Sequence, residues 1–286
     1  GAAAGDYMQF QYRIEAQDIA KSGWNYTSSS SYITLQFWVK SSVAQNFYGY
    51  LRTKDGTGQA YAFETGSLTA DTWTKVIKTI PGNSNITINN DNGEGFQINI
   101  SPFWGTNYTG SVSLNAWGAF SSSARTPDHT STWFTTNDAT IEFTGIQLEV
   151  GSEATSFEHR SYGEEFRLCQ RYYQEVLFLE QNTGGGILRA SNSNNFQQPA
   201  SIQQFGHMRT SASGAVIGNS LVYCRRLNGS SSDLTANVSH SGGTTHGFIN
   251  IRLTGVASGT FVNEEPYVFW NRESDGQIMF SQDAEL

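Results

Sequence analysis

Residues 7–15 alternate apolar and polar side chains, Tyr7, Gln9 or Phe10, Tyr12 and Ile14 against polar neighbours, which is the two-residue period of a strand burying one face. The same period returns with more aromatic weight in residues 32–42, where Ile33, Leu35, Phe37 and Val39 oppose Thr34, Gln36, Trp38 and Lys40. Further strands are expected at 47–53, 59–64, 73–80, 96–100 and 140–150. Between them stand the turn-forming runs DGTG (55–58), ADT (70–72), Pro81-Gly82 and NNDNGEG (89–95). Two stretches lack a period. Residues 18–31, with Trp24 and Tyr26 among Ser, Thr, Asn and Gly, and residues 125–133 both read as exposed loops, while residues 101–120 read as part loop and part strand. Short strands at regular intervals with almost no helical period predict an antiparallel sandwich or jelly roll.

The pattern changes after residue 150. Ser161 precedes Glu164 by three positions, the spacing of a capping box, in which each side chain satisfies a free backbone donor at a helix start. A helix is predicted over 162–173, with Phe166, Cys169, Tyr173 and Val176 on one face and Glu164, Glu165, Arg167 and Arg171 spaced for ion pairs. It either plugs the sandwich as a linker or gathers with copies of itself about a three-fold axis, which makes those four face residues candidate oligomer contacts. Beyond it, short strands are expected at 175–179, 186–190, 198–205, 215–217, 221–226, 235–239, 247–253, 267–271 and 277–280. The fold class is therefore all-β: an N-terminal jelly-roll sandwich (1–158), a short connecting helix (159–176) and a C-terminal β-sandwich domain (177–286). The high polar load of the last strands predicts that identical subunits bury one another's sheet edges.

Charge narrows the partners. The chain of 286 residues carries 17 Lys and Arg against 25 Asp and Glu, a net charge of −8. All its lysines lie at or before Lys78, and Arg225-Arg226 is too short a run to form a patch, so no nucleic-acid partner is expected. No stretch approaches the roughly 20 apolar residues that cross a bilayer, so no membrane insertion is expected. The first residues lack the features of a secretory signal, and residues 1–5 read as a flexible leader. Cys169 and Cys224 have no CxxC partner and are expected to be buried thiols, as in a protein assembled in a reducing cytoplasm. The N-x-S/T triplets at Asn25, Asn85, Asn99, Asn107, Asn228 and Asn237 are what a chain rich in Asn, Ser and Thr produces by chance.

Candidate chemistry is sparse. A G-x-S-x-G elbow, HExxH and a phosphate-cradling glycine loop are all missing. His129, His159, His207, His240 and His246 are isolated in sequence, so the expectation is a protein that is not an enzyme. Asp55, Glu64, Asp91 and Glu94 could serve a glycan-cleaving site, but their spacing selects no pair. Asp91, Asn92 and Glu94 could hold a structural Ca²⁺, yet the ligand series D-x-D-x-D-G-x5-E is incomplete and no cofactor is otherwise expected. Seven tryptophans give the stronger signal, because flat rings stack on the apolar face of a pyranose while amides and Arg take its hydroxyls. Trp38 and Trp73 lie in strands and read as core or sheet-face packing. Trp24, Tyr26, Trp104, Tyr108 and Trp117 lie in or beside polar loops and are the candidate glycan-binding rings, with Asn107, Arg125 and His129 as candidate hydrogen-bonding partners.

The run QLEVGSEATSFEHRSYGEEFRLCQRYYQ (147–174) resembles the domain junction of bacteriophage tail-fibre and related virion structural proteins, particularly those of marine podovirus-like phages. YRIEAQDI (12–19), ITLQFWVKSS (33–42), TIPGN closing the strand that opens Trp-Thr-Lys (73–83) and the terminal DAEL (283–286) carry the same likeness. It is strong up to Gln174 and thin afterwards. The resemblance implies a carbohydrate-binding-module-like jelly roll followed by a C-terminal β domain, in a homotrimeric fibre. Many such jelly rolls hold a structural Ca²⁺ with an acidic residue in the last strand, but Thr144 and Gly145 stand there. The resulting expectation is a trimeric virion protein, in a tail fibre or surface appendage, that binds other virion proteins and adsorbs to a host-surface glycan. The rival expectations are a capsid or tail decoration protein that docks without sugar, and a tailspike-type depolymerase.

Overall fold

The computed structural model describes residues 2–179 and, beyond them, the strands given below together with residues 208 and 284. Side chains are described for residues 2–175 and for Met208, Tyr267 and Ala284. The chain divides into two units: unit 1 is Gly1–His159 with Leu286, and unit 2 is Arg160–Glu285.

Unit 1 comprises β1 (Tyr7–Glu15), α1 (Ala16–Lys21), β2 (Tyr32–Ser41), β3 (Asn46–Thr53), β4 (Gln59–Ser67), β5 (Thr74–Pro81) and β6 (Glu94–Trp104). The short pieces β7 (Thr109–Gly110), β8 (Trp117–Ala119) and β9 (Thr126–Pro127) follow, and β10 (Ile141–Val150) ends it. One sheet runs β1-β6-β3-β4-β8 and the other β10-β2-β5, both antiparallel, while β7 and β9 form a small parallel pair. The chain passes from one sheet to the other between β1 and β2, β2 and β3, β4 and β5, and β5 and β6. That repeated crossing is the wiring of a jelly-roll sandwich.

Period-two alternation decides what lies between the sheets. Ile33 faces Ile80 and Phe37 faces Val76 across β2 and β5. From the opposite sheet come Phe47, Leu51, Phe63, Phe96, Ile98 and Ile100, all buried in the same cluster. Each such side chain contributes about 1.5–3 kcal/mol of hydrophobic stabilisation. On the edge strand β5, Lys78 stands between Val76 and Ile80 on the inward side. Its ammonium is lowered from the usual range by burial, opposed by the attraction of Glu64. A charge turned inward on an edge strand discourages a foreign strand from pairing there.

Several expectations change. Residues 16–21 form α1, so the loop expected over 18–31 begins only after it, because Ala16 and Ile19 are buried one turn apart. Residues 3–6 do not form a free leader: Gly105 and Asn107 donate backbone hydrogen bonds to Asp6 and Ala4 at 2.8 and 3.0 Å. A Cβ at Gly105 would collide with the Ala4 carbonyl, so glycine is what permits this close approach.

At the end of unit 1, the segment after β10 is pinned by one carboxylate. Glu149 accepts from the Thr155 backbone (2.9 Å) and hydroxyl (2.6 Å) and from Gln36 and Gln147 (3.1 Å each). Partial burial opposes its ionised form, but these donors together outweigh that and hold the carboxyl below its usual value of 4.5. Its stabilising contribution is therefore complete above that value and is lost as pH falls through the lower folded one. Below about pH 4.5, the thermal midpoint of the native chain should fall more steeply than that of Glu149→Gln. Parallel profiles for the two proteins would contradict this role.

Unit 2 opens with α2 (Tyr162–Gln170), whose Ser161 and Glu164 form the expected capping box. The helix stops at Gln170, so Tyr173 and Val176 are not on a helical face but on β11 (Tyr173–Leu179). The remaining strands are β12 (Gly184–Asn192), β13 (Asn195–Phe196), β14 (Ala200–Gln203), β15 (Ser213–Gly218) and β16 (Leu221–Arg226), then β17 (Leu234–Gly243), β18 (Phe248–Ser258), β19 (Pro266–Trp270) and β20 (Ile278–Asp283). They form the sheets β11-β20-β15 and β13-β12-β19-β16-β17-β18-β14. Because β13 pairs with β12 and also, at Asn195 opposite Thr254, with β18, six of these strands close into a ring. That closure pairs edges within one chain and weakens the argument that they must be buried between subunits. Cys169 is an exposed free thiol, not a buried one; the side chain of Cys224 lies outside the described residues.

Candidate functional site

The outward face of the larger sheet in unit 1 follows directly from the register. Since Phe47, Leu51, Phe96, Ile98 and Ile100 point to the core, the intervening residues of β3 and β6 point away from it. Pairing then sets Arg13, Gln97, Arg52 and Ala60 in one row, and Gln11, Asn99, Tyr50 and Ala62 in the next. Ser101, Tyr48 and Glu64 continue a third.

An aromatic and guanidinium layer covers this face. Trp104 is 3% exposed; Tyr7 stacks on it at 5.2 Å, and Tyr50 and Tyr108 lie at 6.4 and 5.4 Å. The Arg125 guanidinium sits 4.6 Å from the Trp104 ring centre and 4.7 Å from that of Tyr108, and Arg52 sits 3.5 Å from that of Phe120. Local backbone bonds place Arg125: its amide donates to the Tyr108 carbonyl at 2.7 Å beside the β7–β9 pair, and its Nε donates to Ser122 at 3.1 Å. Burial pushes the Tyr50 hydroxyl above its usual range, opposed by Arg125 and Arg52. Burial also lowers Arg52, opposed by Tyr50 and Glu94, although a guanidinium stays charged in a protein.

Beneath that cover lie polar atoms without partners. Arg13 Nε donates to Gln11 Oε1, so Gln11 presents its amide nitrogen to Asn99 Oδ1 at 2.8 Å, which leaves Asn99 Nδ2 without an acceptor. Gln97 Nε2 donates to Glu94, which leaves Gln97 Oε1 without a donor. Arg52 Nε, Trp104 Nε1, Gln9 Oε1 and Thr126 Oγ1 are equally unmatched. Asn99 and Thr126 are 0% exposed and Gln97 is 4% exposed. Buried polar groups ordinarily find partners, and an unmet one costs about 1–3 kcal/mol. The unmatched donors Asn99 Nδ2 and Arg52 Nε and the unmatched acceptor Gln97 Oε1 share the outward rows of β3 and β6, and such a mixture suits a ligand that both donates and accepts, as hydroxyl groups do.

Of the rings and partners expected from sequence, Tyr108 and Arg125 meet at this face around Trp104, which at 3% exposure, between Tyr7 and Arg125, is a packed ring and not one open to ligand. His129 lies over Tyr48, 4.8 Å between ring centres, with Nδ1 3.0 Å from the Pro127 carbonyl. Asn107 is exposed next to Tyr108. Trp24 is not a loop ring available to ligand: it is 3% exposed in the core, edge-on to Phe96, with Nε1 donating to Ser31. Tyr26 packs beside it, and Trp117 packs on Tyr61 and Phe96 with Nε1 donating to Pro81. Asp91 caps its own turn through Gly93, while Glu94 turns to Arg13 and Lys54 at 3.6 and 3.5 Å. Asn92 is exposed beside them, and among the described residues no three His, Cys, Asp or Glu side chains gather as metal ligands. Tyr50, Arg52, Gln97 and Asn99 were missed from sequence, although their alternation with core residues marks them as one outward row.

Glu64 and Glu94 are too far apart to act as a cleaving pair. Glu64 stands level with Ser101 two strands away, and Glu94 lies seven residues earlier on β6, so at about 3.4 Å per residue and about 4.8 Å per strand their backbones are roughly 25 Å apart. Paired glycosidase carboxylates stand within about 10 Å. Asp55 is engaged by Asn89 through both carboxyl oxygens. Phe166 is exposed on α2, which has no buried residue, and Tyr162 stacks on it at 5.9 Å.

No family model matches the chain, and no curated protein is similar to it. Among solved structures, vicilin from hazelnut (Corylus avellana) aligns at 8% identity over 89% of this chain and 70% of its own, with a TM-score of 0.13. The Macrobrachium rosenbergii nodavirus structure aligns at 8% identity over 96% and 80%, with a TM-score of 0.15. Overlaps this small carry no argument about fold or function.

Proposed function

We propose that this chain is a non-enzymatic virion component, a trimeric phage tail fibre or surface appendage, whose first unit binds a glycan on the host surface. The observation that carries the reading is the set of unmatched buried polar atoms along the outward rows of β3 and β6, Asn99 Nδ2, Gln97 Oε1 and Arg52 Nε among them, which Tyr50, Trp104 and Arg125 flank. A sugar supplies both halves of that complement, hydroxyls for the amides and an apolar ring face for the half-buried Tyr108. Arg125 is only half-buried, so a ligand reaches the amides by displacing that arm. Shallow sites of this kind hold a cell when several act together, which is the use of a trimer. The uncovered α2, with Phe166 and Cys169 exposed, supplies a surface on which copies could meet, and other virion proteins are the further partners.

The test is binding of the full chain to a glycan array, with solution mass by light scattering. A related set of glycans should bind, and Tyr108→Ala should weaken them about fivefold, the loss of about 1 kcal/mol of stacking, without unfolding the chain. If no glycan binds at millimolar concentration, the sugar reading falls and docking on other virion proteins replaces it. A monomeric mass would remove the trimer.

A further inference from the structure

We infer that the ligand of this face is an acidic glycan, its carboxylate or sulfate held between Arg52 and Arg125 while its hydroxyls meet Gln97, Asn99 and Trp104. This rests on the glycan reading and names the substrate class. Four cations stand on or beside the face, and they fall into two kinds. Arg13 and Lys54 share Glu94. Arg52 and Arg125 have no carboxylate within ion-pair distance among the described residues; aromatic rings support them, and Tyr50 lies by Arg125.

Half-burying a guanidinium with no carboxylate in contact is costly, and ring contacts and the more distant attraction of Glu94 on Arg52 offset only part of it. Arg52 moreover has its Nε buried and unmatched, so one prong of its fork awaits an acceptor. A planar guanidinium binds carboxylate or sulfate through two parallel N–H donors, which a neutral sugar cannot match. The chain as a whole is acidic by eight charges, so an anion is not drawn in by the general field of the molecule. Its capture depends on the local geometry of these two side chains.

The experiment compares acidic with neutral glycans on the array, then measures the best ligand by titration calorimetry against the native chain, Arg125→Gln, Arg125→Lys and Arg52→Gln. Acidic glycans should lead, each Gln variant should lose at least tenfold in Kd, and Arg125→Lys should recover part of the loss. Carboxyl reduction of the ligand abolishes binding if a uronate or sialate is held, and desulfation does so if a sulfate ester is. Thermal midpoints of the variants keep loss of fold separate from loss of contact. Neutral glycans bound as well as acidic ones, or acidic ligands indifferent to both Gln variants, would overturn the inference and leave glycan binding intact. Binding to no glycan at all would remove both.

Discussion

Replacing Trp104 with alanine is expected to destabilise unit 1 by about 3–5 kcal/mol, the usual cost of emptying a buried aromatic site. The ring is 3% exposed and forms a small second cluster with Tyr50 and Ala62, with Tyr7 stacked on it and Arg125 across it. Urea denaturation should therefore show a large fall in midpoint at an unchanged slope. A loss below about 1 kcal/mol would mean that the cover over the polar face is not packed as described. The same burial makes Trp104→Ala a poor probe of ligand binding, since lost affinity would be confounded with lost structure. Trp104→Phe keeps a ring while removing an indole N–H that has no acceptor, and should cost less than about 1.5 kcal/mol.

Gly49→Ala should be nearly as damaging, about 3 kcal/mol, for the opposite reason. Gly49 stands on β3 opposite Phe63 of β4 and Ile100 of β6. A Cβ there would collide with the Phe63 ring and lie 2.6 Å from the Asn99 carbonyl oxygen. The ring can give way but the backbone of β6 cannot. The double variant with Phe63→Leu should thus recover only part of the loss, and full recovery would show that the backbone contact is unimportant. Because the strand pushed aside carries Gln97 and Asn99, the folded fraction of Gly49→Ala should also bind glycan more weakly.

The strands of unit 1 were legible because alternation is a local signal. β1 matches its expected bounds, and β2 differs by one residue. Residues 16–31 were not legible, since α1 is short and Trp24 sits among polar neighbours. The core that receives Trp24 is supplied by Phe96 from far along the chain, and local polarity carries no trace of it. Helix α2 was announced by its capping box, but its end was not: the aromatic spacing ran on into β11 because Tyr173 suits either state. Trp104, Tyr108 and Arg125 could be named as loop residues with aromatic or cationic character. That they converge over Tyr50 and Arg52 depends on the pairing of β3 with β6 and on the path of residues 105–127, neither of which has a local signature.

One property of β6 bears on any attempt to alter what the protein recognises. Its odd-numbered residues 97, 99 and 101 address the outward face, while its even-numbered residues 96, 98 and 100 hold the sandwich together. Point substitutions at the former change the outward polar rows and leave the residues between the sheets as they are. Deleting a single residue would exchange the two sets, turning Phe96 and Ile98 outward and driving amides into the hydrocarbon. The outward surface of this scaffold is thus open to rewriting letter by letter and closed to changes of strand length.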